Sequence, residues 1–143
     1  MQKIFNVKSV EESWVAAAEV TKMLAPGTVI ALHGELGAGK TTFMQGIAMA
    51  LGIDRPVTSP TYTLSNEYNA PSFKLVHMDL YRLTSPDDLL AIGYAEHIEN
   101  GAVVAVEWPE RAEELIPPDA LHVYLDIGDG IEDRTITIMK DEL

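Results

Sequence analysis

Residues Gly34-Glu35-Leu36-Gly37-Ala38-Gly39-Lys40-Thr41 fit the pattern G-x-x-x-x-G-K-[ST], whose chemistry is the gripping of a phosphate chain. Glycines at 34, 37 and 39 let the backbone curl so that successive N–H groups point inward at phosphate oxygens. Lys40 supplies a point charge for the β- and γ-phosphates, and Thr41 a hydroxyl for Mg²⁺. A helix beginning near Thr41 adds the positive end of its dipole. A corner that needs glycine only for its shape has no reason to place Lys and Thr directly after it.

Such a loop needs an acid to complete the magnesium shell, at the end of an apolar strand beside it. Two carboxylates qualify: Asp79 follows residues 73–78 (FKLVHM), and Glu107 follows residues 102–106 (AVVAV). Glu107 has the more apolar run before it and is favoured for the metal. Asp79 then stands nearer the γ-phosphate or its water. Both fall at the carboxyl edge, where ligands bind in open α/β sheets. Thr58-Ser59-Pro60-Thr61 carries three hydroxyls and a stiffening proline. It reads either as a segment that orders around γ-phosphate and Mg²⁺ or as a capped turn. His77 reads as a hydrogen-bonded core histidine and Trp108 as packing. Arg82 is either a contributor beside Asp79 or a surface arginine paired with an acid.

The elements that must position these groups are legible from spacing. Ser9 to Glu12 forms a capping box, and apolar residues at Val10, Trp14, Ala17 and Ala18 then recur at helical spacing until Pro26-Gly27. Residues 28–33 (TVIALH) form a buried strand, and 41–51 a helix closed by Gly52. Residues 61–68 and 73–78 read as strands joined by the turn at 69–72 (NAPS), and 87–98 as a helical stretch. After the strand 102–106 and one or two helical turns over 110–115, residues 121–127 and 134–139 read as a strand pair. The class is α/β, P-loop NTPase-like, with a central parallel sheet flanked by antiparallel strands and helices.

Bulk properties narrow the function. The 143 residues fit a single domain over 1–143, without repeats or low-complexity segments. The absence of cysteine excludes disulfides, Cys-ligated zinc and thiol catalysis, and fits a reducing, cytoplasmic setting. No secretory leader or membrane-length apolar run is visible. The net charge of −12, with Lys and Arg scattered singly, argues against a direct grip on nucleic acid. The same acidity also fits plain solubility.

Beyond the loop, residues 34–42 (GELGAGKTT), 59–64 (SPTYTL), Glu67-Tyr68, 77–83 (HMDLYRL) and 107–110 (EWPE) follow one another in order. In this combination the chain resembles the TsaE family, the bacterial ATPase of tRNA threonylcarbamoyladenosine biosynthesis. The resemblance implies MgATP binding, with Thr41 and Glu107 on magnesium and Asp79 needed for ATPase function. It implies base-side contacts from the first-helix entry near Val10 and from Arg134, completing a nucleotide site of Gly34, Gly37, Ala38, Gly39, Lys40, Thr41, Thr42 and Asp79. It also implies action on a TsaB–TsaD pair that transfers threonylcarbamoyl to the adenosine beside the anticodon, with tRNA met only through those partners.

No cis arginine finger or water-orienting glutamine is evident, so turnover is expected to be slow alone and faster with the partner pair. Two rival functions share the P-loop. A small-molecule kinase needs a basic lid, and the basic residues after Thr42 do not cluster. A non-hydrolysing, nucleotide-dependent binding module would use ATP only to order the Ser59–Thr61 region for docking.

Overall fold

The computed structural model describes residues 1–141. The last two residues of the single domain expected over 1–143 lie outside the described residues. Strands β1 (Gln2–Val7), β2 (Val29–His33), β3 (Ser65–Asn69), β4 (Lys74–Asp79), β5 (Val103–Glu107), β6 (Leu121–Ile127) and β7 (Arg134–Lys140) form one sheet in the order β1-β7-β6-β2-β5-β4-β3. The central four, β6, β2, β5 and β4, run parallel. The pairs β1/β7, β6/β7 and β3/β4 are antiparallel. Helices α1 (Val10–Thr21), α2 (Lys40–Ala50), α3 (Pro86–Ala91) and α4 (Tyr94–Glu99) and a 3₁₀ segment (Pro109–Leu115) cover the faces.

The unbroken apolar runs of β2 and β5 follow from burial on both faces. Ile30, Leu32, Val103 and Ala105 pack with Ala17, Val20, Phe43 and Ile47 of α1 and α2. Val29, Ala31, Val104 and Val106 pack with Leu89 and Tyr94 of α3 and α4. The two-residue period of a strand therefore puts Leu75, His77 and Asp79 of β4, with Glu107 of β5, on the α1/α2 side. That side also carries the loop between β2 and α2.

Local signals explain most boundaries. Ser9 Oγ accepts the Glu12 N–H at 3.1 Å, while Glu12 Oε1 reaches back to Lys8 N–H at 3.0 Å. The helical stretch expected over 87–98 is two short helices, because Gly93 interrupts it in a left-handed conformation (φ 91°). The strand expected from 61 begins at Ser65; residues 61–64 form a turn that ends on Leu64 at φ 68°. Strand β1 has no counterpart in the sequence reading. It is an edge strand in which only Val7 is buried, so it lacks the alternation that betrays a half-buried strand. Among the described residues, no helix is long and apolar enough to cross a membrane.

Candidate nucleotide-binding site

The loop leaves the carboxyl end of β2 at the middle of the sheet. Its curl depends on Gly37 (φ 83°) and Gly39 (φ 101°), both in the left-handed region. Gly34 is required for a different reason: a Cβ there would lie 3.0 Å from the Leu125 carbonyl oxygen and 3.2 Å from Ala38 Cβ. Lys40, the first residue of α2, folds back into the loop. Its Nζ donates to the Gly34 carbonyl at 2.8 Å, stands 3.7 Å from Glu107 Oε1, and sits 4.3 Å from the Trp108 ring centroid. Lys40 and Glu107 are 7% and 4% exposed, so the pair is largely withdrawn from water and each charge relies on the other.

Register brings the acids to the loop. Leu32 of β2 pairs with Glu107, and Glu107 pairs with Asp79 on the far side of β5. Both carboxylates therefore stand at one level at the carboxyl edge. The Asp79 carboxylate accepts the Thr61 hydroxyl at 3.1 Å and the Tyr81 N–H at 2.9 Å. Thr61 in turn contacts the Ser59 hydroxyl at 2.7 Å. The segment 58–61 is thus tied to the acid rather than standing alone as a turn, and Asn66 secures its other end by donating to the Thr58 carbonyl at 3.2 Å.

A cavity of about 670 Å³ opens over these groups. Gly37, Gly39, Lys40, Thr41 and Thr42 form its floor, Asp79 and Glu107 one wall, and Ser59, Thr61 and Arg134 part of the rim. Gly34 and the buried Ala38 shape the loop from beneath. Val10 lies outside this cavity, in a crevice of about 70 Å³ shared with Gly39, Thr42 and Arg134. The crevice adjoins the loop, and Val10 and Arg134 both line it. Arg134 has a further job: it donates to the carbonyls of Ala38 at 3.0 Å and Gly37 at 3.1 Å, and to those of Ile131 and Asp133 at 3.0 and 2.8 Å. Its fork braces the back of the loop.

Several site members escaped the sequence reading. Trp108 adopts a left-handed conformation (φ 59°) that turns its ring over Lys40. Tyr81 lies 5.1 Å from that ring, and Tyr62 reaches the cavity with Arg82 stacked 4.6 Å over it. His77 is buried as expected but is not the hydrogen-bonded core histidine expected: neither ring nitrogen has a hydrogen-bond partner, and Nε2 comes within 2.6 Å of Glu107 Oε2 off-line. The aromatic residues directly beside the strand-end acids were the available signal. On the other side of the loop, His33 stacks 4.3 Å from Tyr124 and meets His122 across 2.9 Å between ring nitrogens. Burial and the neighbouring His122 hold its pKa below the usual histidine range, and Glu110 offsets this in part.

A central strand, a glycine-shaped loop with an inward lysine, and strand-end carboxylates on the next two strands to one side, β5 and β4, define a P-loop protein of the α/β class. Comparison with known proteins narrows the class. The family model described as threonylcarbamoyl adenosine biosynthesis protein TsaE matches residues 7–136. The chain is 42% identical over 127 residues to the tRNA threonylcarbamoyladenosine biosynthesis protein TsaE of Bacillus subtilis, covering 88% of this chain and 78% of that one. To the protein of the same description from Aquifex aeolicus it is 45% identical over 107 residues, or 73% and 75% of the two chains. The crystal structure of Bacillus subtilis YdiB superposes with a TM-score of 0.81 at 35% identity, over 98% of this chain and 86% of the other. The chain belongs to the TsaE family.

Proposed function

We propose that this protein binds MgATP in the P-loop cavity and hydrolyses it slowly on its own and faster with a TsaB–TsaD pair, as the ATPase of threonylcarbamoyl addition to the tRNA adenosine beside the anticodon. The observation that carries the reading is the buried Lys40–Glu107 pair, 3.7 Å apart, inside the glycine loop. An ammonium and a carboxylate held at this spot have the charges that a phosphate chain and a divalent cation would each exchange for. The loop N–H groups and Lys40 would hold the β- and γ-phosphates.

Thr41 and Glu107 would hold Mg²⁺. Among the described residues, no group of three or more His, Asp or Glu could hold a metal by itself. That suits magnesium, which takes one or two protein oxygens and completes its shell with phosphate and water. When bound, the ion would neutralise charge developing on the phosphate oxygens. Asp79, held by Thr61 and Tyr81 N–H, is an acceptor fixed in direction, which would stand at the γ-phosphate end of the cavity and suit orienting a water. Val10 and Arg134 would bound the base side.

Basic residues lining the cavity are Lys40 and Arg134 among the described residues, both committed to the loop. That favours hydrolysis over a kinase with a basic lid, and leaves room for a charge supplied by a partner. The overall charge of −12 supports contact with tRNA only through the basic surfaces of partners, in the cytoplasm where tRNA is modified. The test is ATP turnover by the purified chain with and without a TsaB–TsaD pair. A slow rate that rises with the pair is expected; a rate indifferent to the pair removes the partner role and leaves the ATP site.

A further inference from the structure

His77 lies on β4, fully buried, and the ring has no other polar neighbour of hydrogen-bonding geometry. An unpaired buried polar group costs about 1–3 kcal/mol, so an apolar residue would serve packing better. The ring is instead aimed at one atom: Nε2 stands 2.6 Å from Glu107 Oε2, a hydrogen-bond length whose angles are off-line, and Oε2 has no hydrogen-bonding partner either. The β4/β5 register explains the approach. His77 pairs with Ala105, two residues before Glu107 on the same strand face.

Geometry also selects the tautomer. A proton on Nδ1 would leave that N–H orphaned in the core and press a bare Nε2 lone pair against a carboxylate oxygen. A proton on Nε2 makes the same contact attractive and leaves Nδ1 as a bare acceptor. The two oxygens of Glu107 then have separate duties: Oε2 faces His77, and Oε1 faces Lys40 and the cavity.

We infer that His77 is a positioning residue, which pins Oε2 of Glu107 through its Nε2–H so that Oε1 stays turned into the cavity when Lys40 moves to a phosphate. This rests on the MgATP reading, in which Glu107 faces the cation. Partners that orient a metal-binding side chain typically carry about 10–100-fold in metal affinity. A histidine kept for packing alone would carry none.

The test is calorimetric binding of a non-hydrolysable ATP analogue at a series of Mg²⁺ concentrations, for wild type, His77→Leu and His77→Gln. His77→Leu should raise the Mg²⁺ concentration for half-maximal effect about tenfold, while binding without Mg²⁺ changes little. His77→Gln, which keeps an N–H near the Nε2 position, should recover most of the loss. Nitrogen NMR of the wild-type ring, without any metal, should show the Nε2-protonated tautomer and a clear change in Glu107→Gln. An Nδ1-protonated ring, or equal Mg²⁺ midpoints in wild type and His77→Leu, would overturn the proposal. Should His77→Leu not fold, His77→Gln and the wild-type ring decide it: a Gln variant as weak in Mg²⁺ as the Glu107→Gln variant counts against it. A wild type whose nucleotide affinity ignores Mg²⁺ would instead remove the MgATP reading, and the NMR contact would still be tested.

Discussion

Gly46→Ala sets two effects of opposite sign against each other at the crossing of α1 and α2. Alanine is the better helix former by about 1 kcal/mol. A Cβ at position 46, however, would lie 2.7 Å from Ala17 Cβ and 3.0 Å from Trp14 Cα. Neither neighbour can turn away: one is a backbone atom, and the other is a methyl on a fully buried residue. The helices must separate, and overpacking of this kind costs about 1–3 kcal/mol, here toward the upper end. The net is a loss of about 1–2 kcal/mol, or about 3–6 °C in Tm for a chain of this size. Thermal unfolding followed by circular dichroism reads it directly. Combining the change with Ala17→Gly should recover part of the loss, since the 2.7 Å contact is then gone. A Tm that rises in Gly46→Ala would refute the reasoning, because helix propensity would then have outweighed the contact. Lys40 is the first residue of α2, so the same variant should also bind nucleotide more weakly.

Other substitutions separate the parts of the site. Arg134→Ala removes two charged hydrogen bonds to the loop carbonyls of Gly37 and Ala38; discounted for partial exposure, these contribute about 1–2 kcal/mol, and nucleotide affinity by calorimetry should fall about tenfold. Arg134→Lys should not restore it, because an ammonium cannot span both carbonyls; full rescue by lysine would make charge, not the fork, the cause. Lys40→Ala should abolish phosphate binding, whereas Glu107→Ala should weaken Mg²⁺-dependent hydrolysis more than nucleotide binding; equal loss of both in Glu107→Ala would count against its place on the metal. His33 has a folded pKa below its ordinary 6.5 through burial and His122. The unfolded chain therefore takes the proton first, and stability should fall as pH drops through 6.5 toward the folded pKa. Denaturant titrations at several pH values should show a flatter acid-side slope in His33→Phe, and an unchanged slope would remove His33 as the cause.

The sequence carried those features that depend on near neighbours. The loop at 34–41 was legible because a phosphate cradle needs its glycines, lysine and threonine at fixed local offsets. The strand-end acids were legible because each closes an apolar run, and the central parallel sheet because β2 and β5 are apolar without alternation. What stayed hidden depends on pairing across the sheet. Nothing near His77 in the chain says that it faces Glu107, since the contact exists only once β4 and β5 adopt their register. Arg134 as a brace on the loop likewise requires β7 to join the sheet beyond β6. Strand β1 was missed because an edge strand with Val7 as its one buried residue shows no apolar alternation, and the break at Gly93 because a single glycine in a helical pattern is ordinarily tolerated.

Trp108 has an experimental use. Its left-handed backbone is a conformation that costs a bulky residue about 1–2 kcal/mol, and it hangs the indole 4.3 Å from the Lys40 ammonium and beside Glu107. Indole emission responds to the charges near the ring, and the chain holds two tryptophans, the other being Trp14 on α1. The same ring forms part of the wall of the P-loop cavity and of the cavity beside His33. A Trp14→Phe background would therefore turn Trp108 into a single built-in lamp, whose colour and brightness would report any movement of the lysine away from the ring, with no dye attached.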